Sequence, residues 1–155
     1  MLVLLATACL GTVLGVGPLR AWVFGVDPRA FVAVHLTRFV GAYFLVLYGR
    51  GELPYGFAVV GGWGDIGVAA AAVGLLLWGP PRPAPRRRAY ALWNALGLAD
   101  ILLVIAAAAR AALADASSMQ ALLRLPLNLL ITFLVPLILV THVVLGYRLA
   151  RATPA

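Results

Sequence analysis

The charged residues of this 155-residue chain fall almost entirely between apolar runs, most of them about as long as a hydrocarbon layer is thick. A helix needs roughly 20 apolar residues to cross such a layer, and five crossings with short connections would use nearly the whole sequence. Only 11% of the residues are charged and 64% are hydrophobic, whereas an ordinary soluble domain carries about 25% charged residues. A chain this short cannot hide so much apolar surface in one soluble core. Both facts are met by an all-α, polytopic transmembrane helical bundle of about five spans, a single domain over residues 1–155 with the lipid bilayer as its solvent.

The predicted helices cover about residues 1–18, 28–48, 57–78, 89–113 and 125–147. The first is short and could be taken for a signal peptide, but nothing basic precedes Arg20. Thr7, Gly11 and Gly15 at spacing four would let a second helix approach closely. A retained first helix is the expectation, with cleavage as the alternative. Asp27 can cap the second helix and Pro28 suits its first position. The prolines between Gly79 and Arg88 predict an irregular loop. Pro136 should kink the last helix and free the carbonyl of Thr132. The single cysteine, Cys9, has no intrachain partner and reads as a small packing residue.

The net charge of +7 comes wholly from arginine, because the sequence contains no lysine. A basic chain can bind nucleic acid when its charges gather on a soluble face; here they flank apolar runs, so no nucleic-acid partner is expected. Instead they set orientation. With the proline-arginine loop in the cytoplasm, alternating spans place Arg20, Arg29, Arg82, Arg86, Arg87, Arg88, Arg148 and Arg151 on that side. Only Arg50, Arg110 and Arg124 fall opposite. Positive residues favour the cytoplasmic side, which predicts the N-terminus outside and the C-terminus inside.

Function should lie in the polar groups within the spans, since a charge at mid-helix costs at least ~2.5–3.5 kcal/mol on insertion scales. These are His35 and Arg38 on the second helix, Asp65 on the third, Asn94 and Asp100 on the fourth, and His142 on the fifth. At ~1.5 Å per residue Arg38 and Asp100 lie at nearly equal depth, roughly 15 Å from the cytoplasmic end. Asp65 lies higher, roughly 20 Å from that end. Asn128, Thr132, Val135, Leu139 and His142 form one stripe at helical spacing. The groups should converge, with Arg38 paired to Asp100, Asp65 or both. Such a cluster could be a structural ion pair that fixes helix register, or a working site with Arg38, Asp65 and Asp100 in catalytic roles and His35, Asn94, His142, Asn128 and Thr132 as polar relay.

Three chemistries fit. Two carboxyls in different surroundings can divide acid and base roles on a lipid-soluble small ligand, or pass protons or an ion through the histidines. Two histidines at similar depth could also ligate a b-type haem, a weaker match that one pair gives by chance. Alternatively, the small-residue faces could dock a non-catalytic accessory subunit into a homo- or hetero-oligomer. No P-loop, dinucleotide fingerprint or cysteine metal cluster is present, so no metal and no cofactor is assigned.

The segment Arg38-Phe39-Val40-Gly41-Ala42-Tyr43-Phe44-Leu45, followed by Leu53-Pro54, Gly62-Trp63-Gly64-Asp65, Trp93-Asn94, Gly97 and Asp100, resembles a group of small uncharacterised bacterial multi-pass inner-membrane proteins. The resemblance covers the second to fourth helices and, more weakly, the fifth. It implies a bacterial inner-membrane location and carries no activity with it.

Overall fold

The computed structural model describes residues 2–151, and among these helix is the only regular structure. Met1, residues 152–155 and the side chain of Cys9 lie outside the described part. The chain opens with two short helices, α1 (Leu2–Gly15) and α2 (Gly17–Gly25). Four helices long and apolar enough to cross a membrane follow: α3 (Pro28–Gly49), α4 (Tyr55–Trp78), α5 (Ala84–Ala114) and α6 (Leu130–Arg151).

The predicted first span is therefore divided. α1 has 14 residues, roughly 21 Å at ~1.5 Å each, against about 30 Å of hydrocarbon. Backbone at Val16 is extended, and Pro18 starts the next helix where it needs no N–H. The two pieces still run beside α6 in its own direction. Leu5, Ala8, Thr12 and Val13 border Thr132, Phe133, Pro136 and Leu137. Arg20 and Phe24 lie beside Tyr147, Arg148 and Arg151, with the Phe24 and Tyr147 rings 5.6 Å apart.

Other boundaries shift for local reasons. α5 begins at Ala84, five residues earlier than predicted, because Pro83 stands at its cap and Pro85 in its first turn, where a proline costs no hydrogen bond. Arg86, Arg87 and Arg88 are thus helical, and only residues 79–83 form the loop. Between α5 and α6 a 3₁₀ segment, Ala116–Leu123, is capped by Asp115, which accepts from the Ser117 amide at 2.9 Å and hydroxyl at 2.6 Å. Those bonds hold the Asp115 carboxyl below the usual carboxylate range. α6 starts five residues later than predicted and opens with a π-helical turn, Leu130–Leu134, just ahead of Pro136. A wide turn there accommodates the missing proline N–H without breaking the helix.

α3 changes type in its middle. Residues His35–Val40 are 3₁₀, between α-helical Pro28–Val34 and Gly41–Gly49. In a 3₁₀ turn residues three apart eclipse one another, so His35 and Arg38 point the same way, and both are buried.

The interior has two apolar halves with a polar layer between them. One half gathers Phe44, Leu53, Phe57, Ile101, Val104 and Leu122; the other gathers Phe31, Val32, Leu75, Tyr90, Trp93 and Leu145. Arginines secure the second end. Arg29 donates to Leu76 O at 2.9 Å, Arg148 donates to Val26 O, and Arg148 and Arg151 lie over the Phe31 and Tyr147 rings. Tyr90 donates to Gly79 O at 3.0 Å. Among the described residues, a Cβ added at Gly11 or Gly15 would meet nothing within 4 Å, so these two glycines of the stripe predicted for α1 are not sites of close approach. The backbones of α3 and α4 approach closely at two glycines, where a Cβ on Gly62 would come within 2.8 Å of Gly41 O and a Cβ on Gly41 would collide with Gly62 O.

Candidate functional site

That glycine contact builds the site. Arg38 precedes Gly41 by one turn on α3, and Asp65 follows Gly62 by one turn on α4. The two helices are consecutive and antiparallel, so meeting at the glycines brings Arg38 opposite Asp65. Arg38 Nε donates to Asp65 Oδ1 at 2.6 Å. Its Nη1 donates to Gly97 O at 3.1 Å, and its Nη2 to Asp100 Oδ2. Arg38 is 1% exposed. Its planar fork therefore spans three acceptors on two helices, a task for guanidinium rather than ammonium. The roughly 5 Å offset in depth predicted for Asp65 is absorbed by the length of the arginine and by the 3₁₀ stretch, which rises ~2.0 Å per residue.

The two carboxylates have different surroundings. Asp65 is buried, with only 6% of its side chain exposed, whereas Asp100 keeps 23% exposed. Asp100 lies across Gly64 of α4, where any Cβ would strike its Oδ1. One cation thus stands between two anions. Counted as ionised groups, the triad carries one negative charge without a partner.

Beside the triad lies a second polar cluster in which the donors can be assigned from the bonds. Asn94 Nδ2 donates to His142 O at 3.1 Å, which turns Asn94 Oδ1 towards His142 Nδ1 at 2.9 Å. His142 Nδ1 is therefore the donor. Thr141 gives its hydroxyl proton to Ile138 O at 2.9 Å, so its oxygen accepts from His35 Nε2 at 3.2 Å. His35 Nδ1 and His142 Nε2 are left without partners among the described residues. The two rings have centroids 4.2 Å apart, and Trp93 packs against both. A haem ligated by both histidines would have to stand between rings that already touch, so the geometry offers it no room.

Not every predicted member joins. His35, Arg38, Asp65, Asn94, Asp100 and His142 share the layer. Thr132 is exposed and bonds back to Asn128 O at 2.8 Å. The π turn adds a residue to the helix, which breaks the assumed stripe between Thr132 and His142 and turns Thr132 outwards. Asn128 lies beyond that turn, away from the triad. Sequence reasoning missed Thr141, Trp93 and the Gly97 carbonyl. Gly41 and Gly62, each one turn from an opposite charge, were the available signal for the pairing.

An apolar cavity of about 170 Å³ reaches two members of the triad, Arg38 and Asp65. Arg38 and Asp65 form its polar floor, and Val40, Phe44, Phe57, Ile101, Val104 and Ile138 are among its inner walls. Ile105 and Ala108 of α5 and Leu130, Ile131 and Leu134 of α6 are partly exposed and mark its opening, with Leu122 beside it. The π turn supplies three of these residues. π turns inside α-helices are frequent at functional sites.

The chain belongs to the family described as a domain of unknown function, DUF8737, whose family profile matches residues 2–150. No curated protein and no solved structure matches it.

Proposed function

We propose that this is a multi-pass bacterial plasma-membrane protein that holds a small lipid-soluble molecule in its interior and exchanges a proton with it at the Arg38–Asp65–Asp100 triad. The observation that carries the reading is one buried arginine between two carboxylates, with that arginine and Asp65 lining an apolar cavity. Charges inside a bilayer are costly and are usually paired, so an unmatched carboxylate is completed by a proton or a cationic group. Its opening between α5 and α6 would face acyl chains, which gives a lipophilic ligand a lateral way in. His35 and His142, which share the buried polar layer and each keep a nitrogen without a partner among the described residues, form the second station of a proton path. A purely structural ion pair would need neither a second carboxylate nor a cavity beside it.

Infrared difference spectra of the protein in nanodiscs test the proton exchange, because a protonated carboxyl has its own C=O stretch. A band that titrates with pH and disappears in Asp65→Asn or Asp100→Asn is expected. If no such band occurs at any pH, the triad does not exchange protons and the reading fails.

Orientation follows from the arginines. Four helices cross, and α1 with its flanking residues completes a fifth crossing beside α6. A reporter fused after Arg151 should therefore read cytoplasmic, and one ahead of Met1 periplasmic. Both ends on one side would mean that only the four long helices cross. The likeness to small bacterial multi-pass proteins supports the plasma membrane as the location.

A further inference from the structure

We infer that the molecule held in the cavity is a small lipophilic amine, which arrives neutral from the lipid and leaves the triad's proton on its own nitrogen. This rests on the proposed reading of the cavity as a small-molecule site and adds the chemical class of its occupant.

What each floor group can still accept limits the class of ligand. Arg38 has its three donor atoms turned onto Asp65 Oδ1, Gly97 O and Asp100 Oδ2. Its charge is already met twice over. A carboxylate or phosphate ligand would bring a third anion to one cation, in a place where water cannot screen it. Asp65 differs: Arg38 occupies its Oδ1, and the residue lines the cavity. Charge complementarity on this floor therefore favours a cation, and anions are disfavoured by the same sum.

The groups facing the triad are few. α3 gives Arg38 and, beyond it, His35; α4 gives Asp65; α5 gives Asp100; α6 gives His142. The α6 residues at the cavity itself, Leu130, Ile131, Leu134, Val135 and Ile138, carry no charge. Nothing there competes for an ammonium group.

Size and access narrow the class. A cavity of about 150 Å³ holds a benzene molecule, so 170 Å³ suits one aromatic ring or a short alkyl chain. The walls are apolar and the opening lies at the side of the bundle. A permanently charged quaternary ammonium would have to cross hydrocarbon as an ion, whereas a neutral amine partitions into it. Once inside, the carboxyl O–H breaks, the proton forms a new N–H bond on the amine, and the O–H electron pair stays on the carboxylate. Ammonium, two carboxylates and one guanidinium then sum to zero. No oxidant, reductant or further reactant is involved.

The test uses three probes of one shape on the full chain in nanodiscs: para-fluorobenzylamine, para-fluorobenzyl alcohol and para-fluorobenzoate, read by fluorine NMR. The amine should bind about tenfold or more tightly than the alcohol, which corresponds to about 1.4 kcal/mol, and the benzoate should not bind. In Asp65→Asn the amine's advantage should vanish while alcohol binding persists, and the persistence shows that the variant is folded with its cavity intact. Equal binding of amine and alcohol, tighter binding of benzoate, or an amine advantage that survives both Asp65→Asn and Asp100→Asn overturns the inference and leaves the cavity reading in place. Failure of all three probes to bind overturns the cavity reading itself.

Discussion

Gly41→Ala should lower the melting point of the purified protein sharply and separate Arg38 from Asp65, although it adds a single methyl group. A Cβ at this position would meet Gly62 O, Gly62 C at 3.1 Å and Asp65 Cβ at 2.9 Å. Two of these atoms belong to the backbone of α4, which cannot rotate aside as a side chain does. Overpacking in a filled core typically costs 1–3 kcal/mol, and a backbone obstacle places this change near the upper limit, about 3 kcal/mol. Gly67→Ala is the control. A Cβ there meets nothing within 4 Å, and alanine is the better helix former by up to about 1 kcal/mol. Melting followed by fluorescence-detected gel filtration should therefore show Gly41→Ala well below the parent and Gly67→Ala level with it or above. Similar melting of the two variants would mean that α3 and α4 do not touch at the glycines.

That contrast also marks what the sequence could yield. α4 was legible almost to the residue, about 57–78 against Tyr55–Trp78, because Pro54 and Gly79 bound an uninterrupted apolar run. The Arg38 pairing was legible from charge alone, since so apolar a segment offers an arginine few other partners. Helix interruptions were not. Pro85 reads as a breaker on paper and proves to be a first-turn residue, and the two readings differ only in where the preceding turn ends. The 3₁₀ stretch at His35–Val40 and the π turn at Leu130–Leu134 leave no periodic trace, because each shifts the register by about one residue within an already apolar segment. Their effects are large nevertheless. One turns His35 and Arg38 to the same side, and the other removes Thr132 from the interior stripe. The cavity was beyond reach for another reason: it lies in the separation of α5 and α6 on one side of the polar layer, and no single residue encodes a separation.

Arg38→Met should be the most damaging single change in the chain. It removes the one cation that joins two buried carboxylates, and breaking a buried pair by deleting one partner typically costs about 3–5 kcal/mol. Here two buried carboxyls lose their partner at once, and Gly97 O loses its donor as well. Folded yield should collapse, whereas Arg20→Met, at an exposed position, should stay within about 0.5 kcal/mol of the parent. Arg38→Lys should fall between them, because an ammonium keeps the charge but cannot span three acceptors in a plane. The informative protein is the triple change, Arg38→Met with Asp65→Asn and Asp100→Asn. It carries no charge in the layer, so the cost of stranding buried carboxylates disappears, and the asparagine amides keep donors in the layer that the methionine lacks. Folded yield should therefore return. If the triad only fixes helix register, every property of the parent returns with it, including amine binding in the cavity. If the triad is the working part, the triple variant folds, still admits para-fluorobenzyl alcohol, and no longer prefers the amine. Should Arg38→Met alone fold as well as the parent, the guanidinium does not stand between the two carboxylates, and the site is not built as described.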